Sequence, residues 1–188
     1  MVTWHPETLN PKSTYEEFQN LLDVLQNYES INIVFTKSNA DNDGSRINQM
    51  IDEFVLKYPE NVVVHTSLGQ LRYLSTLKYV SGVVGNSSSG IIEAPSLQKG
   101  TVNIGNRQLG RLRAASVIDC RPDVQSIKNA LDTLFSSQFQ SSLPKVSSPY
   151  GGSDVARKIA CILKNCSLDG IVRKRFFDIV PSDKYGPT

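Results

Sequence analysis

The stretch VVGNSSSGIIE, residues 83–93, combines a short apolar run, a turn of small polar residues and the start of a helix. Free backbone N–H groups and serine hydroxyls meet at the positive end of a helix dipole, an arrangement that favours phosphate binding. Ser87 and Ser88 have the alternative role of simple helix caps, because serine is a common N-cap residue. Glu93, one turn into the helix, adds a carboxylate suited to the two hydroxyls of a ribose. The stretch predicts a strand, a ligand-binding turn and a helix.

Outward from this stretch, short runs rich in β-branched residues alternate with longer segments of helical period. Six strands are predicted, at residues 1–4, 31–36, 62–65, 82–85, 101–104 and 116–119. Several strands are apolar on consecutive residues, as in Ile33-Val34-Phe35 and Val62-Val63-Val64, which indicates burial on both faces. The βαβα pattern predicts an α/β fold with a Rossmann-like, doubly wound parallel sheet, whose ligands bind at the carboxyl ends of the strands. Periodicity alone leaves the strand order open.

The helical segments and the loops between them predict one domain followed by a tail. Thr14 and Glu17 have the spacing of a capping box before the first helical segment. Residues 136–152 are rich in Ser, Pro and Gly and predict a connecting loop. We therefore expect a folded domain over residues 1–150, and a helix capped by Ser153 with a tail over residues 151–188. Phe176 and Phe177 in that tail predict docking, either on the same domain or on a further half of the protein.

Composition excludes several classes of protein. The chain has 188 residues, 39% of them hydrophobic, and a formal charge of only +2, so we expect no nucleic-acid partner and no membrane surface. Three cysteines without metal-ligand spacing argue against a disulfide framework and a zinc site. Asp41 and Asp43 suggest a calcium loop, but Asp52 stands where the bidentate Glu belongs. We expect no metal, no cofactor, and a cytoplasmic protein without a signal peptide or membrane span.

Other polar residues follow the predicted strands at the ligand-binding edge. His5 ends the first strand, where an imidazole can meet a phosphate oxygen or transfer a proton, although a lone histidine is as often structural. Asn39 lies in a polar loop after the second strand, a type of loop that usually forms turns and caps. Arg107 lies between glycines after the fifth strand and can form a bidentate pair with phosphate.

Four motifs in this order resemble the UDP-N-acetylglucosamine 2-epimerase family over nearly the whole chain. They are HPET at residues 5–8, the loop containing Asn39, GNSSSGIIEAP at 85–95 and NIGNRQLGR at 103–111. The non-hydrolysing branch of that family tends to carry an acidic, threonine-rich segment ending in Glu-Arg after the fifth strand. This chain has Asn-Arg-Gln-Leu-Gly at residues 106–110 instead. The chain therefore resembles the hydrolysing branch, which makes N-acetylmannosamine or related sugars for sialic-acid and polysialic-acid biosynthesis.

The resemblance implies a fold, a partner domain and a set of roles. Family members have the two-domain GT-B fold of glycosyltransferases, and this chain resembles the carboxyl-terminal, UDP-binding half, without the amino-terminal domain that supplies the key carboxylates. The implied partners are UDP and UDP-N-acetylglucosamine, the missing amino-terminal domain, and further copies in a homo-oligomer of the full-length enzyme. The implied site residues are His5 (diphosphate contact and catalysis), Asn39 (near the nucleotide), Thr66 (uracil, through its backbone), Ser87 and Ser88 (phosphate), Glu93 (ribose) and Arg107 (beside the nucleotide).

In the family, the C2 proton is removed, UDP leaves by anti elimination, and water adds to the glycal-like intermediate to give the 2-epimeric free sugar. A chain with only the nucleotide-binding half is expected to be inactive alone. Two other functions stay open at this point: the donor-binding half of a GT-B sugar transferase, and a stand-alone interaction module of flavodoxin-like shape.

Overall fold

The computed structural model describes residues 1–6, 11–28, 30–38, 42–151, 154–170 and 172–173. Side chains at 11–13 and 42–43 are outside this description although their backbone is helical. Five residues named individually in the sequence analysis lie outside the described residues: Asn39, Asp41, Ser153, Phe176 and Phe177. Residues 7–8 of the HPET motif also lie outside them. The contacts divide the chain into two compact units, Met1–Gly152 and Ser153–Thr188.

A six-stranded parallel sheet forms the centre of the first unit, in the order β3-β2-β1-β4-β5-β6. The strands are β1 (Val2–Thr3), β2 (Ile33–Thr36), β3 (Val62–His65), β4 (Gly82–Gly85), β5 (Gly100–Ile104) and β6 (Val117–Cys120). This is the order of a dinucleotide-binding Rossmann sheet and differs from the 2-1-3-4-5 order of flavodoxin-like folds. The predicted α/β class with its parallel sheet is confirmed, and the flavodoxin-like alternative does not fit the strand order.

Seven helices connect or follow the strands within the described residues. They are α1 (Pro11–Leu25), α2 (Asn42–Lys57), α3 (Gly69–Tyr79), α4 (Ser89–Ser96), α5 (Val124–Phe135), α6 (Ser137–Ser142) and α7 (Val155–Asn165), with a 3₁₀ turn at Leu143–Lys145. The first six belong to the first unit and α7 belongs to the second. No helix of the described residues is both long enough and apolar enough to cross a bilayer.

Successive side chains of a strand point to opposite faces of the sheet. Helices pack against both faces and bury these side chains. Val84 packs in the larger core with residues of α1, α2 and α5, among them Phe18, Ile51 and Leu131. Its neighbour Val83 packs in a second core with Leu77 of α3 and with Ala94 of α4, which is fully buried. The sheet is therefore doubly wound, as its apolar strands predict. Burial is complete along β4 and β5, but β3 lies at the edge of the sheet and leaves Val63 49% exposed.

Two local predictions were wrong. The first helix begins at Pro11, so Thr14 lies inside it and does not cap it; proline suits the first turn because its missing N–H has no helical partner there. The segment predicted to be a loop contains α6 instead. The Ser136 hydroxyl accepts a hydrogen bond from the Phe139 N–H at 3.2 Å, and Phe139 packs against the larger core. The serine cap and the packing of this aromatic side chain both stabilise the helix.

Candidate functional site

The site lies where the chain reverses direction across the sheet, between β1 and β4. Strands β2 and β3 lie on one side of β1, and β4, β5 and β6 lie on the other. At such a switch point the loops leaving neighbouring strands diverge to opposite faces and open a crevice at the carboxyl ends. His5 follows β1, and Asn86 and Ser87 follow β4, so the predicted motifs meet at this crevice.

A cavity of about 700 Å³ occupies the crevice, a volume in the ordinary range for small-molecule sites. Of the predicted site residues, His5, Thr66, Ser87 and Glu93 line it. Ser88 and Arg107 do not belong to its lining, and Asn39 lies outside the described residues. The lining also contains residues that sequence reasoning did not single out: Thr3, Thr36, Lys37, Ser38, Asn48, Tyr73 and Ser89.

Asn86, directly before the lining residue Ser87, joins three strand ends. Its side chain is buried and accepts a 2.8 Å hydrogen bond from the His5 N–H, while its amide group donates a 2.8 Å bond to the His5 carbonyl. Its own carbonyl accepts bonds from Arg107 Nη1 at 3.1 Å and Gln108 Nε2 at 2.8 Å. Arg107, predicted to bind phosphate directly, here contacts the backbone that carries Ser87.

The backbones of β1 and β4 approach each other closely at Gly85. Gly85 has φ +131°, and a Cβ placed there would lie 2.0 Å from the Thr3 carbonyl oxygen. The Thr3 and Thr36 hydroxyls share a 2.7 Å hydrogen bond across β1 and β2. Only glycine permits this approach, which brings the ends of the strands carrying His5 and Ser87 together.

The amino-terminal end of α4 faces the same crevice and is fixed to β5. The Thr101 hydroxyl donates a 2.7 Å bond to the Gly90 carbonyl, and a Cβ at Gly90 would lie 2.6 Å from the Thr101 methyl. Ser88 makes no side-chain capping bond, and Ser87 Oγ accepts only a long one from the Ser89 N–H at 3.4 Å. The Gly90 N–H instead donates to the Ser87 carbonyl at 3.2 Å, and the Ile91 and Ile92 N–H groups donate to the Ser88 carbonyl at 3.0 and 2.9 Å. Backbone bonds therefore close this helix end, and the positive end of its dipole is what attracts anions. The helix is short, as expected from Pro95.

Three buried polar atoms in the cavity wall have no hydrogen-bond partner within the described chain: Tyr73 Oη, Ser89 Oγ and Glu93 Oε2. Burial raises the pKa of Tyr73, the hydroxyls of Ser89 and Thr3 oppose the rise, and the Glu93 charge adds to it. Neither neighbouring hydroxyl meets Tyr73 Oη in hydrogen-bond geometry. Because buried polar groups are normally paired, three unpaired atoms in one wall indicate a ligand with complementary groups.

The cavity lining also contains a cation, Lys37. Lys37 follows β2, and its Nζ lies 2.7 Å from Asp52 Oδ2 of α2. Asn48 of α2 bonds to both backbone groups of Ser38, with its Oδ1 2.9 Å from the Ser38 N–H and its Nδ2 3.2 Å from the Ser38 carbonyl. These bonds fix the loop after β2 against α2. A lone lysine after a strand gave no signal in the sequence that would have marked it.

Comparison with known families decides what this arrangement is. The family model described as UDP-N-acetylglucosamine 2-epimerase matches residues 1–164, most of the chain. The chain belongs to the UDP-N-acetylglucosamine 2-epimerase family. This epimerase-family chain is 37% identical over 180 residues to a Campylobacter jejuni protein named GDP/UDP-N,N'-diacetylbacillosamine 2-epimerase (hydrolyzing), covering 95% of the chain and 46% of that relative. It is 36% identical over 151 residues to the Escherichia coli polysialic acid biosynthesis protein P7, covering 80% of the chain and 38% of the relative.

The predicted resemblance to this family is thereby confirmed, and the C. jejuni relative is itself named as hydrolysing. The chain spans about half the length of the curated relatives it matches. Solved structures show the same fold at low identity. The S. aureus MnaA–UDP complex has a TM-score of 0.66 at 13% identity, covering 87% of this epimerase-family chain and 44% of that one. The Neisseria meningitidis UDP-GlcNAc 2-epimerase bound to UDP-GlcNAc has a TM-score of 0.61 at 16% identity, with the same coverage.

Proposed function

We propose that this chain is the UDP-binding half of a hydrolysing 2-epimerase, acting on UDP-N-acetylglucosamine or a related UDP-acetamido sugar. The observation that carries the proposal is the cavity at the switch point, which combines an anion-attracting helix end with an unpaired carboxylate oxygen. Such a pair suits a nucleotide, whose phosphates are negative and whose ribose hydroxyls donate hydrogen bonds. The relatives named above bind or act on such ligands.

The roles within the site follow its chemistry. Ser87, with Ser88, supplies hydroxyl and N–H donors for the diphosphate at the start of α4, and Arg107 supports this turn through the Asn86 carbonyl. Glu93 accepts hydrogen bonds from the ribose hydroxyls. We further propose that Thr66, which lines the cavity, meets the uracil through its backbone and that Asn39 contributes near the nucleotide.

His5 is the residue of this chain proposed to touch the reacting part of the ligand. Its backbone is held by Asn86, and its imidazole lines the cavity that contains Ser87. An imidazole next to the diphosphate can donate a hydrogen bond to the departing UDP oxygen, which lowers the cost of the charge that develops there. Removal of the C2 proton and addition of water need further groups around the sugar ring, which we place in a second, amino-terminal domain of a GT-B architecture.

The test compares the 188-residue chain with a full-length protein that contains it. Each is incubated with UDP-N-acetylglucosamine and with UDP-N,N'-diacetylbacillosamine, and the products are followed by NMR. We expect free 2-epimeric sugar and UDP from the full-length protein, neither from the chain alone, and a loss of at least about 100-fold in turnover for His5→Ala. The matched control is His65→Ala, the only other histidine, which is exposed.

Two results would contradict the proposal. Sugar release by the isolated chain would show that its own residues suffice for the reaction. Transfer of the sugar to an acceptor by the full-length protein, with no free sugar formed, would favour the sugar transferase instead.

A further inference from the structure

Helices α3 and α4 form one wall of the cavity, and this wall contains a tyrosine that has no role in the proposed function. Tyr73 projects from α3, its hydroxyl is fully buried, and that oxygen has no hydrogen-bond partner within the described residues. Two atoms of α4 in the same cavity wall, Ser89 Oγ and Glu93 Oε2, are likewise buried without a hydrogen-bond partner within the described residues. A buried hydroxyl without a partner costs free energy, so its retention next to two further unpaired atoms needs an explanation.

The chemistry of the three groups selects one part of a nucleotide. An ionised carboxylate only accepts hydrogen bonds, whereas a neutral phenol and a serine hydroxyl each donate one and can also accept. Burial raises the pKa of Tyr73, so the phenol stays neutral at physiological pH and keeps its proton to donate. A phosphate oxygen would be repelled by the carboxylate, and an apolar group would leave all three atoms unpaired. A vicinal diol, in which each hydroxyl both donates and accepts, satisfies all of them.

We infer that Tyr73 is a specificity-determining residue that, with Ser89, completes the recognition of the ribose hydroxyls and makes the site select ribonucleotides over 2'-deoxyribonucleotides. The inference rests on the proposed UDP site. It goes beyond that site because it adds two residues to the ribose contact and makes them responsible for the preference for a ribonucleotide over its 2'-deoxy analogue. A site built to pair a hydroxyl rejects an analogue without that hydroxyl, since its own buried groups then stay unpaired.

The experiment measures the affinities of UDP and 2'-deoxy-UDP by calorimetry for the 188-residue chain and three variants. Tyr73→Phe removes only the hydroxyl, and Ser89→Ala removes the neighbouring one. Tyr79→Phe is the matched control, because Tyr79 lies on the same helix and is 84% exposed. We expect the unmodified chain to prefer UDP by about tenfold or more, and Tyr73→Phe to reduce that preference at least about threefold by weakening UDP binding alone.

The melting temperature of each variant separates a loss of ligand recognition from a loss of folding stability. Because Tyr73 Oη makes no hydrogen bond within the described chain, Tyr73→Phe is expected to leave the melting temperature unchanged or to raise it. An equal loss of affinity for both nucleotides, or an unchanged preference, would overturn the inference while leaving the UDP site intact. Absence of UDP binding by the unmodified chain would overturn the proposed function together with this inference.

Discussion

Asn86 and His5 hold each other through two hydrogen bonds of 2.8 Å, although 81 residues separate them in the sequence. The bonds join the backbone just after β1 to a side chain just after β4, across the switch point of the sheet. The Asn86 carbonyl in turn accepts from Arg107 and Gln108 after β5. One buried residue, through its side-chain amide and its main-chain carbonyl, therefore links the three strand ends on which the proposed site is built, without itself lining the cavity.

Replacing Asn86 by alanine is expected to weaken both the fold and the site. The variant loses two buried hydrogen bonds that join strands β1 and β4, which we expect to lower the free energy of unfolding by about 2–4 kcal/mol. Urea denaturation measures the change. Asn129→Ala is the control, since Asn129 is exposed, and we expect it to change stability by less than about 0.5 kcal/mol.

The same variant tests positioning separately from stability. Where Asn86→Ala remains folded, the His5 backbone amide should shift in NMR spectra and UDP affinity should fall several-fold. A folded variant with full affinity and an unshifted His5 amide would show that this amide does not position the histidine.

Replacing Gly85 by alanine should destabilise the protein more than replacing a glycine that has a positive φ but no close neighbouring atom. Gly85→Ala places a Cβ 2.0 Å from the Thr3 carbonyl oxygen, so β1 and β4 must separate, and we expect a loss of about 3 kcal/mol or more, or failure to fold. Gly110→Ala is the matched control: its φ is +80°, but no atom lies within 4 Å of the added carbon. The control should cost only about 1–2 kcal/mol, the price of the left-handed backbone. Thermal unfolding that ranks the two variants equally would refute the close-approach explanation.

The three cysteines should differ in reactivity. Burial, with the nearby charges of Asp123 and Asp119, raises the pKa of Cys120 to about 12, so at pH 8 only about one thiol in ten thousand is ionised. Cys161 and Cys166 are exposed. Iodoacetamide at pH 8, followed by mass spectrometry, should modify these two and spare Cys120 until urea is added. Equal rates for all three in the folded chain would contradict the raised pKa of the half-buried Cys120.

The layout of the fold was predictable because it depends on local pattern. Consecutive apolar residues such as Ile33-Val34-Phe35 mark buried parallel strands whatever their order, and all six strands appear within two residues of the expected bounds. Strand order was not predictable, because it depends on how distant segments pair. The exposure of Val63 follows from that order, since a strand at the sheet edge looks the same in sequence as a central one.

The site was predictable only where a motif carries its own chemistry. His5, Thr66, Ser87 and Glu93 were named from sequence or resemblance and line one cavity. Tyr73 was missed because nothing in an amphipathic helix tells which tyrosine faces a ligand until the helix is packed. Asn86 was quoted within its motif without a role, since asparagine in a Ser- and Gly-rich turn normally indicates only the turn.

The central claim is that the cavity between β1 and β4 binds UDP. Calorimetry of the 188-residue chain with UDP tests it directly, with Glu93→Ala as the site variant and Glu60→Ala, at an exposed turn, as its control. We expect measurable binding by the unmodified chain and by Glu60→Ala, and at least about tenfold weaker binding by a folded Glu93→Ala, because a hydrogen bond to a charged group is lost. No heat of binding with the unmodified chain, or equal affinity for Glu93→Ala, would contradict the account.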